Sequence, residues 1–175
     1  RADDAPPSKP SIPIDRLRGL SVLVVDDNET NRRIVEQSLL SWEMKPTLAS
    51  SGSQALTLLR QAAVEEHAFS LAIIDALMPE MDGMSLADEI QEDPGIERPP
   101  MILMISSTDR QTFTGNESDA VSTFLSKPVS QSDLLDAIVR CLNVEPPENL
   151  EEVIAAEAPI RPLRVLLAEE RPANQ

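Results

Sequence analysis

Short aliphatic runs alternate with helix-period segments along most of the chain. Residues 20–25 (Leu-Ser-Val-Leu-Val-Val) stop abruptly at Asp26-Asp27-Asn28, the pattern of a strand buried on both faces. Ile34, Val35, Leu39 and Trp42 then share one helical stripe while Arg32, Arg33, Glu36 and Gln37 take the other, and Met44-Lys45-Pro46 ends that helix. Residues 46–49 read as a short, weak strand. Residues 52–64 read as a helix with Ala55, Leu58, Leu59 and Ala62 inward. A second aliphatic strand at 71–74 ends at Asp75, and a helix covers 84–92. A third strand at 101–105 ends at Ser106-Ser107, followed by a polar, poorly patterned stretch through Asn116. The last strand, 121–125, ends at Ser126-Lys127-Pro128. Ser130 with Asp133 three residues on marks a helix start, and Leu134, Leu135, Ile138, Val139 and Leu142 continue it as one stripe.

Five strand-then-helix units predict an α/β fold with a mostly parallel sheet, because right-handed crossovers place helices on both faces. Ligands of such sheets bind beyond the carboxyl ends of the strands. Asp26, Asp27, Asp75, Ser106 and Lys127 each fall at such an end, and almost nothing polar lies within the strands.

Composition narrows the function. The 175 residues carry a formal charge of −15, which argues against a nucleic-acid binder needing a Lys/Arg surface and against contact with an anionic membrane. No apolar run approaches the roughly 20 residues of a membrane span, and no signal peptide is visible. Cys141 is the single cysteine, so no internal disulfide forms, and a cytoplasmic, reducing location is expected. The fifteen prolines gather at the ends. Residues 1–19 therefore read as a Pro-rich leader, 20–143 as the folded domain, and 144–161 as a Glu/Pro-rich linker.

Three carboxylates converging on one crevice repel one another unless a cation neutralises them. An oxygen-only set without His or Cys selects a hard ion, Mg²⁺ or Mn²⁺. His67 and Cys141 lie elsewhere in the pattern. For one Asp alone, a helix cap is the better reading; three at strand ends with a lysine and a hydroxyl are another matter. Lys127 can pair with a carboxylate or with a transferred phosphoryl oxygen. A divalent ion, a lysine and a small hydroxyl together stabilise charge on equatorial phosphoryl oxygens. Asp75, closing the central strand, is the best-placed acceptor, and its attack in line yields an acyl phosphate.

The run from Val22 to Asn28, the run Asp75-Ala-Leu-Met-Pro-Glu-Met-Asp-Gly83, Ser106 after an aliphatic strand, and Lys127-Pro128 together resemble the receiver domain of two-component response regulators. The resemblance covers residues 20–143. It implies a flavodoxin-like, doubly wound sheet of five parallel strands in the order 2-1-3-4-5, as in CheY. It further implies that Asp75 is the phosphoacceptor, that Asp26, Asp27 and Asp75 hold Mg²⁺ with Asp27 in direct contact, and that the Leu77 carbonyl supplies another ligand. Ser106 and Lys127 would then hold the phosphoryl oxygens, with a cis peptide before Pro128. Ser106 and Phe124 would form the conformational switch, Phe124 standing where a tyrosine is frequent; ordinary core packing is the alternative role for Phe124.

Residues 163–175 align without gaps on residues 20–32, placing Glu169 and Glu170 over Asp26 and Asp27. This internal repeat resembles the first strand of a second receiver, so residues 162–175 are expected to be the start of a domain cut short in a longer protein. Residues 165–168 either hang free or pair with a sheet edge, here or in a second copy, which leaves a homodimer open. Tandem receivers behind a Pro-rich leader are similar to the C-terminal half of hybrid sensor histidine kinases, whose membrane anchoring would lie outside this chain. The implied partners are a phosphohistidine domain in cis or in trans, a histidine phosphotransfer domain, and the second receiver. On this reading the chain catalyses only its own phosphorylation and dephosphorylation, whereas the parent protein is a histidine protein kinase. An aspartyl phosphatase would want a second acid where Leu77 stands. A pseudo-receiver, docking or dimerising without phosphorylation, is the competing alternative.

Overall fold

The computed structural model describes residues 14–106 and 119–142. A 3₁₀ turn, Ile14–Arg16, precedes strand β1, Ser21–Val25. Helix α1, Glu29–Ser41, leads to β2, Lys45–Ala49, and α2, Gly52–Val64, leads to β3, Leu71–Asp75. Then follow α3, Gly83–Glu92, β4, Met101–Ile105, β5, Thr123–Ser126, and α4, Gln131–Cys141. The five strands form one parallel sheet in the order β2-β1-β3-β4-β5, as the resemblance implied.

The aliphatic runs are buried on both faces because alternate residues serve different layers. Leu23, Val25, Ala72, Ile74, Leu103 and Ile105 point into a core completed by α2 and α3. Val22, Val24, Leu71, Ile73, Ile102 and Met104 point into a second core completed by α1 and α4. Each described α-helix starts on a side chain that accepts an orphan backbone N–H: Asn28 from Thr30 and Asn31, Ser51 from Gln54, Asp82 from Ser85, and Ser130 from Asp133. Ser130 also donates to the Asp133 carboxylate at 2.6 Å, the interaction expected from their spacing.

Several expectations shift. Ile34 is 53% exposed and lies off the buried stripe, which Val35, Leu39 and Trp42 supply. Leu56 is buried whereas Leu58 only packs at the margin. The last strand begins at Thr123, not residue 121, because β5 is an edge strand with only Leu125 fully covered. Leu17, within the segment read as leader, is fully buried against the second core, so packing extends upstream of residue 20. The polar stretch that would supply a helix between β4 and β5 lies mostly outside the described residues, as do Ser107, the linker and the C-terminal repeat. No described helix is long and apolar enough to cross a membrane.

Candidate functional site

The parallel register delivers the polar residues to one rim. Val25 pairs with Ile74 and Asp75 pairs with Met104, so Asp26 and Asp75 emerge side by side at the centre of the sheet. Ser106 follows Ile105 at the end of β4, and Lys127 follows β5, its backbone N–H bound to the Ile105 carbonyl at 2.8 Å. The Lys127–Pro128 peptide is cis.

Carboxylate oxygens of Asp26, Asp27 and Asp75 lie within 4.8 Å of one another. Asp26 is 0% exposed and Asp75 is buried, while Asp27 opens to solvent. Lys127 Nζ sits 2.6 Å from Asp75 Oδ1 and 3.7 Å from Asp26 Oδ2. The Leu77 N–H donates to Asp75 Oδ1 at 3.3 Å. Asp26 Oδ1 accepts from the Asn28 N–H at 2.8 Å and from Asn31 Nδ2 at 3.4 Å, but its Oδ2 is buried without a hydrogen bond. Burial pushes the Asp26 carboxyl above the usual carboxylate range, and the charge of Asp75 pushes the same way; the Asn28 N–H, Lys127 and Asn31 oppose them.

One lysine cannot balance three converging carboxylates, and a buried oxygen without a hydrogen bond is costly. The site therefore fits a hard divalent cation. Its donor set is oxygen only, and Asp26 Oδ2, which has the 3.7 Å approach of Lys127 but no hydrogen bond, is one atom such an ion would satisfy.

The segment after Asp75 is held by backbone contacts. The Gly83 N–H binds the Ala76 carbonyl at 2.9 Å. A Cβ at Gly83 would collide with the Asp75 carbonyl oxygen and come within 2.7 Å of Leu103 Cδ1, so the tight return requires glycine. The Leu77 side chain is 54% exposed beside the pocket. Phe124 is 38% exposed and, among the described residues, belongs to neither core, so on its edge strand the ring is partly open to solvent. His67 and Cys141 stand apart from the cluster, His67 bonding the Glu65 carbonyl and Cys141 lying beside Ser122.

Sequence reasoning brought Asp26, Asp27, Asp75, Ser106 and Lys127 to this rim and missed the supports of Asp26. Those are Asn31 and Arg32, whose Nη1 donates to the Asp26 carbonyl oxygen at 2.5 Å. Their signal was the Asn-Arg pair at the first turn of a helix that directly follows two acids.

The family model for the response regulator receiver domain matches residues 22–139. Two-component response regulator ORR5 of Oryza sativa subsp. japonica is 32% identical over 113 residues, which are 65% of this chain and 81% of that protein. Ethylene receptor 2 of the same subspecies is 30% identical over 133 residues, 75% of this chain but only 17% of the receptor. The receiver domain of sensor histidine kinase PA1611 from Pseudomonas aeruginosa PAO1, described with a magnesium ion coordinated in its active site cleft, superposes with a TM-score of 0.59 at 27% identity, covering 71% of this chain and 98% of that one.

Proposed function

Because the chain belongs to the response regulator receiver family and works in two-component signalling, we propose that Asp75 accepts a phosphoryl group from a phosphohistidine and thereby switches the domain. The supporting observation is the placement of Asp75: its carboxylate is buried at the centre of the rim, 2.6 Å from Lys127 Nζ and within 4.8 Å of two further acids. An Asp75 oxygen attacks phosphorus in line as the phosphorus–nitrogen bond to the donor imidazole breaks, and the imidazole leaves with that electron pair. Lys127 then exchanges its carboxylate partner for a phosphoryl oxygen, and the hydroxyl of Ser106, one residue past β4, takes another.

Asp26, Asp27, Asp75 and the Leu77 carbonyl would hold Mg²⁺. The ion supplies charge neutralisation for the transferring phosphoryl oxygens. Asp26 Oδ2, buried and without a hydrogen bond, supports this assignment. Ser106 and Phe124 form the switch in this reading: movement of the hydroxyl toward the phosphoryl group opens space into which the partly exposed ring of Phe124 can turn. The PA1611 and ethylene receptor relatives support placing the chain in a hybrid sensor kinase. There, the segment before Leu17 leads in, residues 144–161 link, and residues 162–175 begin a second receiver. Donor and acceptor partners are then phosphohistidine and histidine phosphotransfer domains on the cytoplasmic side.

The test is intact-mass measurement after incubation with acetyl phosphate and Mg²⁺. Wild type gains one labile phosphoryl group, whereas Asp75→Asn and the metal-free sample do not. A stable gain, or one that persists in Asp75→Asn, refutes the assignment.

A further inference from the structure

We infer that Arg32 is a positioning residue for the cation pocket, holding the backbone from Asp26 to Asn28 so that Asp27 faces the site; this rests on the metal reading above. Arg32 and Arg33 are neighbours on α1 with different contacts. Arg33 spreads its guanidinium over the Glu29 carboxylate, with Nε at 3.1 Å and Nη2 at 2.7 Å. Arg32 is half-buried and directs Nη1 onto the Asp26 carbonyl oxygen at 2.5 Å, a charge-assisted bond of the stronger kind.

The segment it touches connects two acids with different surroundings. The Asp26 side chain is held by the Asn28 N–H and Asn31, and its own N–H continues the sheet by binding the Ala49 carbonyl at 3.2 Å. Asp27 is exposed, so its aim depends on the backbone either side of it. On the Asn28 side, the Asn28 side chain caps α1 and its carbonyl accepts the Arg32 N–H at 3.1 Å. On the Asp26 side, the guanidinium of the same residue completes the clamp. Arg32 thus grips both flanks of Asp27, by main chain and by side chain. Groups that orient ligands in this manner typically contribute a factor of about 10–100 to metal affinity.

The experiment titrates Mg²⁺ calorimetrically into the full 175-residue chain and into Arg32→Met, Arg32→Lys and Arg33→Met. Arg32→Met is expected to bind Mg²⁺ about tenfold more weakly, with Arg33→Met, which removes the same charge from the same helix, staying within about twofold of wild type. Arg32→Lys, keeping the charge with a single shorter donor, falls between. Without Mg²⁺, Arg32→Met shifts the amide signals of Asp27 and Asn28 while its melting temperature matches that of Arg33→Met, a separation that a merely structural role does not give. Should Arg32→Met melt early, the affinity of Arg32→Lys decides. Wild-type affinity in both Arg32 variants, or an equal loss in Arg33→Met, overturns the inference. Wild type without saturable Mg²⁺ binding overturns the metal reading and this inference together.

Discussion

In water an aspartate releases its proton near pH 4, whereas Asp26 holds its proton to higher pH because burial and then the Asp75 charge disfavour the anion. The sign follows from proton counts. As pH rises through the unfolded value, the unfolded chain loses this proton while the native state keeps it, so stability from this group falls until the raised native value is passed. Asp26→Asn removes the burden while keeping an acceptor for the Asn28 N–H. In Mg²⁺-free solution Asp26→Asn should therefore melt higher than wild type at pH 7, by a few degrees, with the gap closing toward pH 4. Calorimetric melts across that range check it, and a gap independent of pH refutes it. The principal acids and Lys127 were legible because charge at the end of an aliphatic strand has few bland explanations. Arg32 was not, because an arginine on the polar stripe of an amphipathic helix looks solvated until the adjoining backbone carbonyl is in place.

Among the elements, the return from β3 to α3 is closely packed, with Gly83 pressed against the main chain at Asp75 and Ala76 and against Leu103. Gly83→Ala should destabilise the fold by about 1–3 kcal/mol, the usual range for overpacking, and should displace the Asp75 main chain as well. Urea unfolding gives the first quantity and amide shifts around Asp75 the second; a variant as stable as wild type would contradict the packing. The central strands β1, β3 and β4 were readable because both faces demand aliphatic residues. The edges were less so. In β5 only Leu125 is deeply covered, and Phe124 is partly exposed, so hydrophobicity misplaced the strand's start by two residues. Ile34 misled in the opposite direction, since an apolar residue one step from Val35 satisfies a helical stripe on paper yet points to solvent.

Across the whole molecule, the acidic rim and the incoming chain lie at opposite ends of the sheet. Leu17 is buried in the second core, to which Trp42 and Met44 also belong, and just after it the Gly19 N–H binds the Glu43 carbonyl at 2.8 Å. Beginning the chain at residue 20 should thus lower stability by about 2–4 kcal/mol, as for loss of a buried leucine, while leaving Mg²⁺ affinity within about twofold. Chemical unfolding and Mg²⁺ titration of the two lengths test this, and equal stability would show that Leu17 is dispensable. The all-parallel order carries one more consequence. Each strand must be re-entered from the rim remote from the pocket, through turns such as 65–70, where Glu65, Glu66 and His67 are exposed. Those turns can lengthen, or accept an inserted module, without any carboxylate or Lys127 changing place. The protein therefore has one rim where sequence is dictated by charge, and a second where it is free to record which neighbours the domain has acquired.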